Sequence, residues 1–144
     1  MTIEQQQRAV IEEFAEIEDW MDRYQLLIDL GQEQTPLPDS DKTADNLIDG
    51  CQSRVWLTCH REDDGTLTFR AESDALIVKG IIMLLIRVLS GHTPDEILAA
   101  DLYFIDRIGL HEHLSPTRSN GLVAMVKQMR AYALAFKAKA AEVG

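Results

Sequence analysis

At residues 46–57 the chain reads Asn46-Leu47-Ile48-Asp49-Gly50-Cys51-Gln52-Ser53-Arg54-Val55-Trp56-Leu57. A short apolar run precedes the cysteine, and a second apolar stretch follows it. Gly50 tolerates backbone angles that a side chain would forbid, so the chain can turn sharply just before Cys51. From Val55 to His60 two sets of side chains alternate with a period of two, which predicts a strand. We therefore expect Cys51 at the tip of a tight loop that feeds a strand.

This position suits a thiol that must reach something outside its own fold, because a stiff strand holds the loop away from the core. A structural cysteine more often lies within a strand or helix, where it packs as a small hydrophobe. Local chemistry alone leaves both interpretations of Cys51 open. The second cysteine, Cys59, shares the strand parity of Val55 and Leu57 and is predicted to pack in the core. A resolving thiol is the alternative role for Cys59.

Three ordered blocks of the sequence resemble the SufE family, which includes the CsdE proteins. Residues 49–56, Asp-Gly-Cys-Gln-Ser-Arg-Val-Trp, are similar to the cysteine loop of that family. Two further blocks follow in order, Ser-Asp-Ala-Leu-Ile-Val-Lys-Gly at 73–80 and His-Leu-Ser-Pro-Thr-Arg-Ser-Asn-Gly-Leu at 113–122. The resemblance extends from the Asp19-Trp20 region to the last helix, and so covers nearly the whole chain.

The resemblance implies a function in sulfur transfer. Members of this family accept sulfur beside cysteine desulfurases, which use pyridoxal phosphate. Transferred to this chain, the Cys51 thiolate would attack the outer sulfur of a persulfide on the desulfurase and leave carrying that sulfur. The chain would then stimulate the desulfurase and pass sulfur to an iron–sulfur scaffold or another acceptor. It would hold no cofactor and would not be an enzyme without its partner. No glycine-rich phosphate loop stands in the sequence.

Several neighbours of the cysteine are candidates for loop support or for partner binding: Asp49, Gly50, Gln52, Ser53 and Arg118. Arg118 could lie near the Cys51 loop and stabilise a thiolate or persulfide, or it could hold a carboxylate or a helix terminus. Asp49 could tune the loop or contact the partner, although turn chemistry alone explains an aspartate before a glycine.

Composition sets bounds that agree with a partner protein of this kind. The chain has 144 residues, of which 46% are hydrophobic, so we expect one domain, 1–144, with a real core. A formal charge of -10 disfavours a nucleic-acid binder, which needs a basic face. The first residues lack the basic-then-apolar run of a secretion signal, and two cysteines eight positions apart make no disulfide framework. These features predict a reducing, cytoplasmic setting.

The order of predicted elements indicates an α+β fold. We expect a small antiparallel sheet of about three strands with helices packed on one face, a fold also similar to the iron–sulfur scaffold. A first helix begins with a capping box of Thr2 and Gln5. The other predicted helices cover 19–30 (stopped by Gly31), 74–89 (capped by Ser73), 94–99, 103–108 and 116 or 119 to 141. The predicted strands cover 43–48, 54–61 and 66–71, and residues 110–115 are expected to form a loop.

Two other classes of protein remain as alternatives. An iron–sulfur or zinc-binding assembly scaffold needs several thiolates or imidazoles, whereas this chain has two cysteines without CxxC spacing. A cysteine-nucleophile hydrolase needs a histidine brought to Cys51 and an oxyanion hole. His111 and His113 flank Glu112, but histidines two apart do not share a helix face, so we expect a loop pair and no metal site.

Overall fold

The computed structural model describes the backbone of residues 1–143 and the side chains of residues 1–140. Its two strands are β1 (Val55–Arg61) and β2 (Leu67–Ser73). The helices, in chain order, are α1 (Ile3–Ala15), α2 (Trp20–Gln32), α3 (Leu76–Leu89), α4 (Pro94–Ala99), α5 (Phe104–Arg107), α6 (Leu110–His113) and α7 (Pro116–Val143). Short 3-10 turns lie at Asp39–Asp41 and Ala44–Asn46. The predicted α+β class is confirmed.

The second and third predicted strands, 54–61 and 66–71, pair as a hairpin. Strands β1 and β2 pair antiparallel in a register that runs from Val55 opposite Ser73 to Arg61 opposite Leu67. In the turn, Gly65 adopts the left-handed conformation at φ 87°. Thr66 donates from its backbone nitrogen and its hydroxyl to the Asp64 carboxylate at 3.0 and 2.7 Å. The Asp-Gly pair of the sequence supplies both the side-chain acceptor and the residue that adopts a positive φ.

Helix α3 is the centre of the core, and α2 crosses it closely. Nine residues of α3 are buried: Val78, Gly80, Ile81, Ile82, Leu84, Leu85, Ile86, Val88 and Leu89. A Cβ on Gly80 would lie 2.0 Å from the Leu27 carbonyl oxygen of α2, so only glycine permits this approach.

Gly31 does not stop α2 as predicted, because the helix continues through Gln32. The glycine is buried and faces α3, where a Cβ would lie 3.1 Å from the Gly80 backbone nitrogen. Close packing at the crossing therefore explains Gly31, and the prediction of a helix stop was wrong.

The third strand, predicted over 43–48, is absent from the sheet, which has two strands in the described residues. Asn46 instead closes a turn: its side chain donates to the Asp41 carbonyl at 2.8 Å and its backbone nitrogen to the Thr43 carbonyl at 3.1 Å. These local bonds compete with strand pairing. Only one isolated bridge, Leu47 to Trp56, continues towards β1.

The start of α3 also differs from the prediction. Strand pairing extends to Ser73, so the helix begins at Leu76 with Ala75 as its N-cap. The Ser73 hydroxyl accepts from the Ala75 nitrogen at 3.2 Å and donates to the Arg54 carbonyl at 2.9 Å. Asp74 turns towards Arg54 and not towards the helix terminus. The predicted cap at Ser73 was therefore wrong.

The C-terminal half is helical. Thr93 and Glu96 form a capping box ahead of α4, with Pro94 in the first turn. Residues 110–113, predicted as loop, form the short helix α6, which follows Gly109 in the left-handed conformation at φ 79°. An apolar stripe of α7 packs against the core, and four of its side chains are buried: Leu122, Met125, Met129 and Ala133. No helix among the described residues is long and apolar enough to span a membrane.

Candidate functional site

Cys51 lies between β1 and the first turns of α7. The preceding Gly50 adopts φ 89°, a left-handed angle that turns the chain as predicted. The Cys51 thiol is half-buried and donates to the Gly121 carbonyl of α7, with sulfur and oxygen 3.6 Å apart. A Cβ on Gly121 would lie 3.6 Å from the same sulfur. Cys51 therefore points at a helix backbone, and its thiol is held there by one weak hydrogen bond.

The base of the loop is fixed on both sides. The Ile48 nitrogen donates to the Val55 carbonyl at 2.9 Å. Arg54 donates from its backbone nitrogen and its Nε to the Asp74 carboxylate at 3.1 and 3.2 Å. Residues 49–53 lie between these anchors. Within the described part of the chain, their one hydrogen bond of ordinary geometry is the bond from the Cys51 thiol to Gly121. The loop thus has a rigid base and a weakly held tip.

A cavity of about 410 Å³ opens beside the thiol, between the Cys51 loop, α3 and the start of α7. Apolar side chains from α3 and α7 line part of it, namely Val78, Ile81 and Met125. Polar side chains line the rest, namely Gln52, Ser53, Ser115, Thr117 and Arg118. Cys51 and Gly121 complete the wall. The cavity therefore joins a nucleophile, one cation and several hydroxyls.

Burial controls the charge of both cysteines. It raises the pKa of the Cys51 thiol above its ordinary value, so the resting group at neutral pH is a neutral thiol. Burial raises the pKa of Cys59 to about 12. Cys59 lies in β1 opposite Phe69 and packs against the core, as predicted from its parity.

The structure brings Arg118 and Cys51 to the same cavity. Arg118 lies in the first turn of α7, is exposed, and donates from its backbone nitrogen to the Ser115 hydroxyl at 3.3 Å. Gln52 and Ser53 lie on the cavity wall next to Cys51. Asp49 is exposed at the loop tip and lies outside that wall.

Two features of the site were missed from the sequence. Gly121 accepts the thiol hydrogen bond, although the sequence offered only a glycine at the end of the 113–122 block. Asp74 holds the base of the loop through Arg54, although the sequence placed it at the start of the predicted helix 74–89. A glycine within a helix that needs no turn is a signal of close approach, and could have pointed to Gly121.

The histidines near α6 have structural contacts. His113 stacks on Trp20 with ring centroids 3.9 Å apart, and its Nδ1 lies 3.0 Å from the Gly109 carbonyl. His111 lies 3.8 Å from the Asp106 carboxylate. Among the described residues, no three histidine, cysteine or acidic side chains are grouped so that they could hold a metal ion.

Comparison with known proteins identifies the family. A family model named SufE and described as an Fe-S metabolism associated domain matches residues 8–133. An uncharacterized SufE-like protein of Rhizobium meliloti is 39% identical over 128 residues, which cover 86% of this chain and 91% of that protein. A second uncharacterized SufE-like protein, from Rhizobium etli, is 40% identical over 125 residues, which cover 84% of each chain.

One solved structure shares the fold. The solution structure of a hypothetical protein from Thermus thermophilus superposes with a TM-score of 0.75 at 22% identity, covering 92% of this chain and 96% of the other. At this identity the likeness supports the fold alone. The family match over most of the length and the two relatives together show that the chain belongs to the SufE family, a family associated with iron–sulfur metabolism.

Proposed function

We propose that this chain accepts persulfide sulfur from a cysteine desulfurase on Cys51, stimulates that enzyme, and passes the sulfur on for iron–sulfur cluster assembly. The observation that supports this most is the Cys51 thiol at a weakly held loop tip beside a cavity that also contains Arg118. A nucleophile that serves another protein needs such a combination of a fixed base and a releasable tip.

In the proposed step, the Cys51 thiolate attacks the outer sulfur of a persulfide on the desulfurase. The bond between the two sulfurs of that persulfide breaks, and its electron pair stays on the desulfurase cysteine. Cys51 leaves with the outer sulfur as its own persulfide. No oxidant or reductant is consumed, because the exchange moves a sulfane sulfur between two thiols.

The resting site lowers the reactivity of Cys51. Burial raises the pKa of Cys51, and a neutral thiol is a poor nucleophile and a poor target for oxidation. A persulfide fixed inside another protein cannot enter this cavity, so contact with the desulfurase must draw the loop tip outward before that transfer. Arg118, on the same cavity wall, would then stabilise the anion that forms.

The catalytic cofactor in this scheme belongs to the partner. Pyridoxal phosphate on the desulfurase would break the carbon–sulfur bond of cysteine, and this chain would bring no cofactor and no activity of its own. By removing the product sulfur, it would raise the turnover of the desulfurase. We place the reaction in the reducing cytoplasm, with an iron–sulfur scaffold or another acceptor downstream.

The test is intact mass spectrometry after incubation with a desulfurase and cysteine. We expect a mass gain of one sulfur atom at Cys51 and a faster turnover of cysteine than with the desulfurase alone. The purified chain without partner should release no sulfide from cysteine. Failure to gain sulfur, or sulfide release by the chain alone, would contradict the proposal.

A further inference from the structure

The cavity beside Cys51 differs in charge from the chain as a whole. The chain carries a formal charge of -10. Yet Arg118 is the one charged side chain among the described residues that line the cavity. No carboxylate of the described side chains lies within ion-pair distance of Arg118. The guanidinium is therefore available to an anion that enters the cavity.

The size and the hydroxyls of the cavity also fit a small ligand. Its volume of about 410 Å³ lies within the range of small-molecule sites, roughly 300–1,000 Å³. Ser53 and Thr117 contribute hydroxyls to its wall. The Ser115 oxygen accepts from the Arg118 backbone nitrogen, which leaves its O–H as a donor. Hydroxyl and guanidinium donors together suit a carboxylate.

We propose that this cavity is a subsite for small, carboxylate-bearing persulfides of amino-acid size, from which Cys51 takes sulfur without a protein partner. The inference rests on the proposed function in one respect, because Cys51 is the atom that receives sulfur in both. It adds a second class of donor. Arg118 and the neighbouring hydroxyls bind the carboxylate, and Cys51 provides the nucleophile on the same wall.

The reaction balances without another reagent. The Cys51 thiolate attacks the terminal sulfur of the small persulfide R–S–SH, and the S–S bond of the donor breaks. The electron pair of that bond leaves with R–S⁻, which takes up a proton, and Cys51 becomes a persulfide. The sulfane sulfur changes its carrier, and the overall oxidation state is unchanged.

The subsite is tested first with two alkylating probes of similar size, iodoacetate and iodoacetamide. The Cys59→Ala variant is used so that Cys51 is the only thiol, and each rate is normalised to the same chain unfolded in urea. We expect folding to raise the iodoacetate-to-iodoacetamide rate ratio about threefold, the scale of one partly exposed ion pair. A ratio unchanged by folding overturns the proposal.

Matched variants assign the effect to the cation. Arg118→Gln should return the ratio to its unfolded value, whereas Arg118→Lys should retain part of it. Arg107→Gln removes an exposed arginine outside this cavity and should leave the ratio unchanged. Arg118 is exposed and makes no ion pair among the described residues, so its replacement tests the site and not the fold. If folding still raises the iodoacetate-to-iodoacetamide rate ratio fully in Arg118→Gln, the assignment of this effect to Arg118 is overturned.

Sulfur transfer is tested next with the persulfides of 3-mercaptopropionate and of its amide, a pair that differs in the carboxylate. Intact mass should show faster gain of one sulfur atom from the carboxylate donor, and Arg118→Gln should abolish the difference. Loading by a desulfurase but not by either small donor overturns this inference and leaves the proposed function intact. Loading by neither source overturns both.

Discussion

The two cysteines of this chain are both half-buried and both carry a raised pKa, yet their surroundings differ in kind. Cys59 lies within β1, where backbone pairing on Phe69 fixes it and where its pKa reaches about 12. Cys51 lies in a loop, where one hydrogen bond of 3.6 Å to the Gly121 carbonyl holds its thiol. Strand pairing thus keeps Cys59 half-buried, whereas the thiol of Cys51 has a similar burial with only a weak hydrogen bond.

The exposed fraction of a cysteine in the resting state is therefore a poor guide to whether its thiol can react with another protein. Removing Cys59 from its surroundings requires the hairpin to open, which is coupled to the whole core. Freeing Cys51 requires the loss of one thiol–carbonyl hydrogen bond and of its partial packing against the core, with a rotation near Gly50. We therefore expect Cys51, and not Cys59, to be the thiol that another protein reaches.

The largest effect we expect comes from exchanging each sulfur for oxygen. Cys51→Ser should abolish sulfur acceptance from a desulfurase, because serine is close in shape and keeps a hydrogen-bond donor but lacks a nucleophilic thiolate. Cys59→Ser should retain most of it. Intact mass and sulfide production measure both variants, and circular dichroism checks that they fold. An equal loss in the two variants would break the comparison.

Much of this contrast could be predicted from local sequence. Alternation in 55–60 placed Cys59 in a strand, and the Gly50-Cys51 pair placed the other thiol in a tight turn. Both predictions concern neighbours in sequence, where backbone preferences act. The partners of the thiol lie elsewhere, since Gly121 is 70 positions away and only the packing of α7 brings it to Cys51.

The wrong predictions also have a common physical cause. Ser73 and Asp74 look like the start of a helix, but pairing with Val55 and bonding to Arg54 extend the strand through that point. Gly31 looks like a helix stop, but the crossing with α3 needs its missing side chain. In each case a long-range contact overrides a local preference, which a single sequence does not show.

The next largest effect tests the hinge. Gly50→Val places a β-branched residue at φ 89°, with its Cβ 3.4 Å from that of Ala124. We expect a destabilisation of about 1–3 kcal/mol from the left-handed backbone. Sulfur transfer should fall further, on the order of tenfold to hundredfold, because the nucleophile is misplaced. Denaturant unfolding and single-turnover transfer rates measure the two effects.

Gly91 offers a matched control for that substitution. It has φ 83° and no atom within 4 Å of its would-be Cβ, and it follows α3. Gly91→Val should show a similar backbone cost but unchanged sulfur transfer at saturating desulfurase. Equal losses of transfer in the two variants would show that stability, and not the loop hinge, limits the reaction.

A smaller effect sharpens the claim that Cys51 is shielded and then released. We expect the alkylation rate of Cys51 to rise severalfold when a desulfurase is added whose own active cysteine is replaced, because binding draws the loop tip from Gly121. Cys59 should react slowly and at the same rate in both conditions. Peptide mapping after limited alkylation measures the two sites in one sample. A Cys51 rate that does not change with the partner would contradict the release.

The smallest effect concerns stability at alkaline pH. The folded pKa of Cys59 is about 12 against an ordinary 9.0, so the fold favours the neutral thiol. The stability this provides is fully present below pH 9.0 and is lost as pH rises towards 12. Cys59→Ala should therefore lose less stability than the parent chain when urea unfolding at about pH 8 is compared with unfolding near pH 11.

The same comparison with Cys51→Ala separates the two thiols. Burial and the neighbouring Cys59 also raise the pKa of Tyr132, whose hydroxyl donates to the Leu57 carbonyl at 3.2 Å, so this tyrosine adds its own dependence on alkaline pH. Only differences between variants at the same pH are therefore informative. Cys51 can ionise by leaving its cavity without unfolding the chain, whereas Cys59 cannot leave β1. We thus expect Cys51→Ala to reduce the loss of unfolding free energy at alkaline pH less than Cys59→Ala does. The reverse order would show that the Cys51 loop is as firmly held as the strand.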